Sequence, residues 1–378
     1  MKIVIDKNIP FIEGVLEPYA EIQYLPGSKI DRKAIKDADA LIIRTRTICN
    51  QELLSGSKVK FIASATIGYD HIDTKWCEAN GISWTSAEGS NSSSVMQYMA
   101  SVLVFLSNKH NFKFEDRTIG VIGVGNVGRK VVKLAEILGM RIVLNDPPLA
   151  RKLGPCGLIS LNGIIREADI ITVHVPLNLK GEDKTFHLFD EFVMKSLNPG
   201  TLLINSSRGE VVDNQALKKV LKSGQIQGAV LDVWENEPEI DIELMKLLDI
   251  ATPHIAGYSS DGKAQGTAMS VRSVSKFFNL GIDNWFPSFI PLPTEQIIEI
   301  DAQGKSDQEV ISKAIEATYK VENDNQRLKD APKHFEKQRG DYPLRREFHA
   351  YTIELKNGSL ELMGKLQKSG FNIIKVDY

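Results

Sequence analysis

Residues 120–146 decide the fold, and they read G-V-I-G-V-G-N-V-G-R-K-V-V-K-L-A-E-I-L-G-M-R-I-V-L-N-D. The short apolar run Ile119–Val124 predicts a buried strand, and a helical pattern follows it. At the junction, Gly123, Gly125 and Gly128 form the spacing G-x-G-x-x-G, which indicates a dinucleotide site when it lies between a strand and a helix. The first glycine permits a tight turn, the second lets a pyrophosphate approach the backbone, and the third allows the helix to pack closely on the strand.

The residues after this turn predict NAD as the cofactor. The backbone amides of Asn126 and Val127 open the helix, where the helix dipole favours a phosphate group. Arg141–Asn145 then predicts a second strand that ends at Asp146. A carboxylate at that place can accept hydrogen bonds from a ribose 2′-hydroxyl and would repel a 2′-phosphate, so Asp146 favours NAD over NADP. The alternative, a glycine turn with a purely structural role, is disfavoured because strand, helix, strand and acid are all in place.

Bulk composition excludes several classes of protein. The chain has 378 residues, enough for two or three domains, with 42% hydrophobic residues and a net charge of −2. It has no basic stripe, so we expect no nucleic-acid partner. The apolar pattern Val95–Leu106 is too short to span a bilayer, and the N-terminus enters a strand pattern directly, so we expect a cytoplasmic protein without a membrane partner. Cys49, Cys77 and Cys156 lack metal-ligand spacing, so we expect packing thiols and no metal.

Alternation of strands and helices predicts an α/β protein with parallel sheets. The strand candidates outside the first βαβ unit are Lys2–Ile5, Ala40–Thr45, Val59–Ala65, Ile82–Thr85, Ile170–Val175, Leu202–Asn205, Ala229–Val233 and Ile250–Thr252. We predict two doubly wound domains, with a Rossmann-type NAD domain (91–255) inserted in a flavodoxin-like substrate domain (1–90 and 256–285). A small C-terminal α+β domain (286–378) is predicted from the candidates Ile297–Ile300, Gln308–Tyr319, Ala350–Leu355, Ser359–Ser369 and Asn372–Val376.

Three later strands of the NAD domain lead into residues that can do chemistry: Arg208, Glu237 and His254. Carboxyl ends of parallel strands meet at one edge of a sheet, so we expect these side chains to converge there. Together they suit the oxidation of a 2-hydroxy acid. His254 would take the hydroxyl proton, Glu237 would hold and stabilise its ring, and Arg208 would bind the substrate carboxylate.

Each of these residues could also have a purely structural role. Arg208 could cap a strand end, Glu237 could belong to a solvated acidic loop, and His254 could be a satisfied buried histidine. Their joint occurrence at three strand ends after a complete NAD motif favours the catalytic interpretation. His174 is the rival base, but its strand lies earlier in the domain and offers no acid partner. We therefore expect His174 to form a wall of the cofactor pocket.

These motifs resemble the D-isomer-specific 2-hydroxyacid dehydrogenases over roughly residues 40 to 280. The matching segments are the glycine motif with Asp146, H-V-P-L at 174–177, N-S-S-R-G-E at 205–210, D-V-W-E-N-E-P at 232–238 and T-P-H-I-A-G at 252–257. The resemblance implies the catalytic roles already given to Arg208, Glu237 and His254. It also implies an NAD site lined by Val175, Ser206, Ser207, Asp232 and Gly257.

The tail segment 335–348, F-E-K-Q-R-G-D-Y-P-L-R-R-E-F, resembles one branch of that family. This resemblance implies 4-phospho-D-erythronate as substrate, its oxidation to 3-hydroxy-2-oxo-4-phosphooxybutanoate, a place in pyridoxal phosphate biosynthesis, and a homodimer made by the C-terminal domain. It implies substrate contacts at Thr45, Thr66 and Tyr258, although serine is the commoner residue at position 45. Arg44 and Arg46 could hold the phosphate, or they could be a solvated strand end.

Two alternatives stay open at this point. A 3-phosphoglycerate dehydrogenase, or another D-2-hydroxyacid dehydrogenase, shares the core and the three catalytic residues, but the tail segment argues against it. Some relatives are NAD-sensing corepressors that mainly bind protein partners. The intact set of Arg208, Glu237 and His254 disfavours that function.

Overall fold

The computed structural model describes residues 1–154 and 157–376, and the chain divides into two compact units. The first unit consists of residues 1–91 and 259–291, and the second of residues 92–258 and the chain after residue 291. Elements are numbered along the chain. Cys49 and Cys77 are buried and unpaired with each other, whereas Cys156 lies outside the described residues.

The first unit is built on a five-stranded parallel sheet of flavodoxin-like order, β2-β1-β3-β4-β5. Its strands are β1 Lys2–Asp6, β2 Glu21–Leu25, β3 Ala40–Ile43, β4 Phe61–Ser64 and β5 Ser83–Ser86. Its helices are α1 Arg32–Ile35, α2 Gln51–Leu54, α3 Thr74–Ala79 and α11 Ser260–Phe278, with a 3₁₀ turn at Gly27–Lys29. Side chains alternate along a strand, so Val4 packs in one core with α1 to α3, and Ile3 and Ile5 pack in another with α11.

The second unit contains a six-stranded parallel sheet of order β11-β10-β9-β8-β6-β7. Its strands are β6 Thr118–Ile122, β7 Arg141–Asn145, β8 Ile170–Val173, β9 Leu202–Asn205, β10 Gly228–Leu231 and β11 Ile250–Ala251. Its helices are α4 Ser92–His110, α5 Asn126–Ile137, α6 Pro147–Leu153, α7 Leu161–Glu167, α8 Glu191–Ser196, α9 Asn214–Ser223 and α10 Ile242–Leu247, with 3₁₀ turns at Phe114–Asp116 and Gly209–Val211. Beyond β7, a single parallel bridge joins Leu144 to Leu158, where a longer Rossmann sheet has a further strand. The strand order reverses between β6 and β8, which places the ligand crevice of this fold type beside the glycine turn.

The chain after residue 291 adds a three-stranded parallel sheet to the second unit, in the order β12-β13-β14. The elements are β12 Ile297–Asp301, α12 Asp307–Thr318, α13 Val321–Asp330, α14 Phe335–Gly340, β13 Thr352–Lys356, α15 Leu360–Ser369 and β14 Asn372–Val376, with 3₁₀ turns at Pro332–His334 and Phe348–Ala350. We call residues 292–376 the C-terminal module. Its apolar side chains share one core with α4, α5 and β6.

The predicted fold class is confirmed, since two Rossmann-like parallel sheets and a third small sheet are present. Strand β2 was not predicted, and neither were α13 and α14. The division into three domains with the boundaries given above stays a prediction. Among the described residues, none of the helices combines the length and apolarity needed to cross a membrane.

Gly128→Ala tests the packing of α5 on β6. A Cβ atom at position 128 would overlap the carbonyl oxygen of Gly123, and backbone cannot move aside cheaply. We expect this change to destabilise the protein by roughly 1–3 kcal/mol, which thermal unfolding would show as a lower midpoint. Gly364→Ala, in α15, is the control because an added Cβ meets no atom within 4 Å there. An unchanged midpoint for Gly128→Ala would contradict the close packing.

Candidate active site

The glycine turn between β6 and α5 has the shape that a pyrophosphate requires. Gly123 has a φ of 86°, and a Cβ atom there would overlap the carbonyl oxygen of His174. Gly128 packs against Gly123, as described above. A Cβ at Gly125, by contrast, would meet no atom within 4 Å. The turn is therefore tight at its first and third glycines and open at its second, which fits the approach of a phosphate group to the α5 N-terminus.

Asp146 stands beside this turn at the carboxyl end of β7. Its Oδ2 accepts a hydrogen bond from the Val124 amide at 2.8 Å, and its Oδ1 accepts one from the Leu149 amide at 2.9 Å. These bonds hold the carboxylate in place while leaving it half-buried. A fixed carboxylate at this position suits a ribose 2′-hydroxyl and opposes a 2′-phosphate.

The loop after β9 carries Arg208. Asn205 organises this loop: its Oδ1 accepts hydrogen bonds from the amide and hydroxyl of Ser207, and its Nδ2 donates to the Arg208 carbonyl at 2.8 Å. The hydroxyl of Ser207 is thus engaged in a hydrogen bond within the protein. The hydroxyl of Ser206 is buried and has no hydrogen-bond partner among residues 1–154 and 157–376, which is consistent with a ligand contact at this strand end.

Close backbone packing joins the Arg208 loop to the loop that carries Glu237. A Cβ at Gly209 would overlap the carbonyl group of Trp234, so only glycine permits this approach. The Arg208 guanidinium donates a hydrogen bond from Nη1 to the Ser207 carbonyl at 2.8 Å, and its side chain is half-buried.

Asp232, directly after β10, holds the turn that carries His254. Its carboxylate is 1% exposed and accepts hydrogen bonds from Thr252 Oγ1 at 2.6 Å and from the amides of Ile255 and Ala256 at 2.8 and 2.9 Å. The His254 amide donates to the Asp232 carbonyl at 2.7 Å, and His254 has a φ of 55°, an uncommon conformation for a residue other than glycine. The sequence did not predict this role for Asp232. Its predicted contact with NAD stays a prediction.

Glu237 and His254 form a hydrogen-bonded pair, with Nδ1 of the ring 2.8 Å from Oε2 of the carboxylate. The other oxygen, Oε1, accepts a hydrogen bond from the Trp234 amide at 2.9 Å. Burial raises the pKa of Glu237, but the His254 hydrogen bond and charge, the Trp234 amide and the charge of Arg339 outweigh it, so the pKa lies below its usual value. The carboxylate thus remains ionised and directs Nε2 of His254 away from itself.

The backbone carbonyl of His174 lies against Gly123 in the glycine turn, and the predicted place of His174 in the wall of a cofactor pocket stays a prediction. Its Nε2 lies 2.9 Å from Thr172 Oγ1, and burial lowers the pKa of His174 to about 3. A ring with so low a pKa would be a weak base for a hydroxyl proton. Val175, the next residue, lies against Gly123 and so borders the glycine turn.

The remaining predicted residues lie at strand ends as well. In the second unit, Tyr258 is half-buried, and its hydroxyl accepts a hydrogen bond from Arg339 at 3.0 Å. Gly257, just before it, is half-buried. In the first unit, Thr66 follows β4, and its hydroxyl lies 2.8 Å from that of Ser64.

Residues 44–46 follow β3 in the first unit, and β3 is the neighbour of β4. Arg44 donates a hydrogen bond to the Asn8 carbonyl at 3.0 Å, whereas Thr45 and Arg46 are exposed. The first unit therefore brings Arg44, Thr45, Arg46 and Thr66, which are part of the predicted substrate set, to one sheet edge. Their substrate roles stay a prediction.

The second unit brings most of the predicted site to one edge of its sheet. The glycine turn, Val175, the Ser206–Arg208 loop, Glu237 and His254 follow β6, β8, β9, β10 and β11 respectively. This arrangement suits a dinucleotide and places an imidazole–carboxylate pair at the same sheet edge as an arginine. Two supports that the sequence did not single out are Thr252 and Trp234, whose indole nitrogen donates to the Thr252 carbonyl at 3.0 Å.

Two family models match the chain. Residues 102–256 match the D-isomer specific 2-hydroxyacid dehydrogenase, NAD binding domain, and residues 291–370 match a Domain of unknown function (DUF3410). The first match covers the sheet that carries the glycine turn and the His254 loop.

Curated relatives resemble the chain over nearly its whole length. An erythronate-4-phosphate dehydrogenase of Bacteroides thetaiotaomicron is 50% identical over 354 residues, which cover 93% of this chain and 99% of that protein. The Bacteroides fragilis enzyme of the same name is 46% identical over the same shares. An Escherichia coli enzyme of that name is 40% identical over 377 residues, 99% of each chain.

Solved structures share the fold. A 3-phosphoglycerate dehydrogenase of Entamoeba histolytica with bound NAD has a TM-score of 0.64 and 23% identity, and covers 77% of this chain and 99% of its own. A D-lactate dehydrogenase of Aquifex aeolicus has a TM-score of 0.60 and 24% identity, and covers 77% of this chain and 100% of its own. At these identities the structures establish the fold alone.

Asp146→Asn tests the selection of NAD over NADP. The amide removes the charge that opposes a 2′-phosphate and keeps one oxygen acceptor, so one of the two bonds from the Val124 and Leu149 amides is retained. We expect the ratio of NAD to NADP affinity to fall by about tenfold, or roughly 1.4 kcal/mol, when both are measured by titration calorimetry. Asp190→Asn is the matched control, because Asp190 also caps a helix of this unit, α8. An unchanged ratio would remove Asp146 from cofactor selection.

Proposed function

The chain belongs to the erythronate-4-phosphate dehydrogenase family, and from that premise we propose that it oxidises 4-phospho-D-erythronate at C2 to 3-hydroxy-2-oxo-4-phosphooxybutanoate. It is an NAD-dependent oxidoreductase of the 2-hydroxyacid dehydrogenase type. The observation that carries the proposed chemistry is the 2.8 Å hydrogen bond between Glu237 and Nδ1 of His254. It leaves Nε2 as the ring atom that can exchange a proton with a substrate.

The pair is suited to remove the C2 hydroxyl proton. With Nδ1 committed to Glu237, neutral His254 presents an unprotonated Nε2, the form that a general base needs. The ionised carboxylate then stabilises the imidazolium that forms. NAD, when bound, accepts the hydride that leaves C2.

Arg208 has a different part in the proposed reaction. Its guanidinium presents a rigid fork that matches a substrate carboxylate, and its positive charge would favour the 2-oxo group in the reverse direction. The packing of Gly209 on Trp234 supports this role, because it keeps the Arg208 loop against the loop that carries Glu237.

Further parts of the proposal rest on the relatives and on the tail resemblance. The name of these relatives, erythronate-4-phosphate dehydrogenase, supports a phosphorylated hydroxy acid as substrate. We propose that Thr45, Thr66 and Tyr258 contact it, with Arg44 and Arg46 near the phosphate. A place in pyridoxal phosphate biosynthesis, a homodimer formed by the C-terminal module and a cytoplasmic location belong to the same proposal.

The substrate is tested by following NADH formation with NAD and either 4-phospho-D-erythronate or 3-phosphoglycerate. We expect a much higher kcat/KM for the four-carbon acid. Comparable turnover of 3-phosphoglycerate would overturn this choice. A protein that binds NADH tightly but oxidises neither acid would instead indicate an NAD-sensing binding protein.

His254→Ala tests the proton acceptor. We expect turnover to fall by about a hundredfold or more, as losses of a general base do, while NAD affinity changes little. His187→Ala is the matched control, because Nε2 of His187 lies 2.7 Å from Glu235 in a second half-buried histidine–carboxylate pair. Full turnover in His254→Ala together with its loss in His174→Ala would show that His174 is the base.

A further inference from the structure

A segment of the C-terminal module contacts the loop that carries His254. This loop, residues 254–258, follows β11, and the contacting segment, residues 335–346, begins with α14. Arg339 donates a hydrogen bond from Nη2 to Tyr258 Oη at 3.0 Å, and its guanidinium carbon lies 5.6 Å from the centre of the Tyr258 ring. The ring of Tyr342 packs edge-on against Tyr258, with centroids 5.9 Å apart.

Arg345 contacts the backbone of the same loop. Its side chain is buried, with the residue 4% exposed, and Nη2 donates to the Ala256 carbonyl at 2.6 Å. Its guanidinium lies 4.7 Å from the ring centre of Tyr319, so the arginine is enclosed by aromatic side chains. Burial disfavours its charge, but Tyr342, Tyr319 and Asp232 more than compensate, so the pKa of Arg345 lies above its ordinary value.

A buried carboxylate anchors the aromatic residues of this contact within the C-terminal module. Asp324 is 2% exposed, and its Oδ2 accepts hydrogen bonds from Tyr319 Oη at 2.7 Å and Tyr342 Oη at 2.6 Å. Asp324 also pairs with Arg327. Both tyrosines therefore have fixed positions, and through Tyr342 and Arg345 the network reaches Tyr258 and Ala256.

We propose that Arg339 and Arg345 are positioning residues of the active site, through which the C-terminal module holds the 254–258 loop in its working geometry. This inference rests on the proposed function, since it concerns the same reaction. Arg345 fixes the loop backbone two residues after His254. Arg339 fixes the side chain of Tyr258, which we propose as a substrate contact.

Arg339 also affects Glu237 through its charge. It is one of the groups that hold the pKa of Glu237 below its usual value, and its own pKa is raised: burial disfavours its charge, but Tyr258, Glu237 and Glu336 outweigh that effect. Within the described part of the chain, the pKa of Glu237 is lowered by His254, the Trp234 amide and Arg339, and the pKa of Arg339 is raised by Tyr258, Glu237 and Glu336. A positive charge near Glu237 disfavours the protonated form of this carboxyl group.

The sign of the pH effect follows from this arrangement. The proposed oxidation needs Glu237 ionised, so activity is lost when this carboxylate takes up a proton at low pH. The charge of Arg339 is one of the causes that lower the pKa of Glu237, so without it this carboxylate takes up its proton at higher pH. Arg339→Gln should therefore move the acid limb of the kcat/KM profile towards higher pH, whereas Arg339→Lys should keep it close to the wild-type position.

The test is a kcat/KM profile over pH for the full-length wild type, Arg339→Gln, Arg339→Lys and Arg141→Gln. Arg141 is the matched control, because it forms an ion pair with Glu167 that is largely exposed to solvent. We expect Arg339→Gln to lose roughly tenfold or more in kcat/KM near neutral pH, as small misplacements of reacting groups do, and Arg141→Gln to match the wild type. NADH affinity, measured by fluorescence titration, should be the same in all four proteins.

A double-mutant cycle separates positioning from general stability. The cycle compares KM in Arg339→Gln, in Tyr258→Phe and in the variant that carries both changes. If Arg339 acts partly through Tyr258, the fold increase in KM of the double variant should be smaller than the product of the fold increases of the two single variants. If Arg339 had only a structural role, the acid limb of the kcat/KM profile would stay in place. The fold increase in KM of the double variant would then equal the product of those of the single variants. Arg345 is buried, so a variant such as Arg345→Met is at risk of not folding. The experiment therefore uses variants of Arg339.

The outcomes distinguish this inference from the proposed function. A wild type that turns over neither acid would defeat the proposed function. An active wild type with an unshifted acid limb and unchanged kcat/KM in Arg339→Gln would defeat the positioning role. An active wild type with a shifted limb that lysine restores would support both.

Discussion

The buried carboxylate of Asp232 is the constraint on which the site geometry depends. A carboxylate removed from water costs several kcal/mol unless its oxygens receive hydrogen bonds. Here Thr252 and the amides of Ile255 and Ala256 supply them, and all three belong to the turn around His254. Because Asp232 needs these hydrogen bonds, they hold the turn in place. The turn in this way keeps His254 in a left-handed conformation that a histidine rarely adopts.

Sequence patterns were sufficient to predict a feature where its physical requirement restricts the residue types at that place in the chain. Glycine at 123 and 128 is needed because any Cβ would overlap backbone, so the motif itself marks the turn. Strands β7 and β9 have the predicted bounds because both are short apolar runs between polar residues. The approach of Glu237 to His254 could also be anticipated, since both lie after the carboxyl ends of neighbouring parallel strands.

The features that escaped prediction depend on contacts between distant parts of the chain. Strand β2, Glu21–Leu25, is an edge strand without a fully buried residue, so its sequence lacks a clear apolar run. Only the family resemblance implied a role for Asp232, as part of the NAD site, and its hydrogen bonds to the turn around His254 became visible only in the structure. The residues around Arg345 gave no indication that its side chain would be buried, because an arginine in a polar segment usually lies in solvent. The only sequence trace was its place in the tail segment 335–348.

Helix α4 shows why the C-terminal module can influence chemistry that takes place on another sheet. Of its 19 residues, 14 are buried, and they include Ser94, Gln97 and Ser101 on otherwise apolar turns. These polar side chains bond to the C-terminal module, with Ser94 donating to Glu347 and Gln97 to the Arg346 carbonyl. The same helix reaches the other sheet through Tyr98, whose hydroxyl lies 2.9 Å from that of Thr252, a partner of Asp232. The module therefore shares a core and a polar network with the turn around His254, and we expect a disturbance of its packing to reach that turn through these well-packed groups.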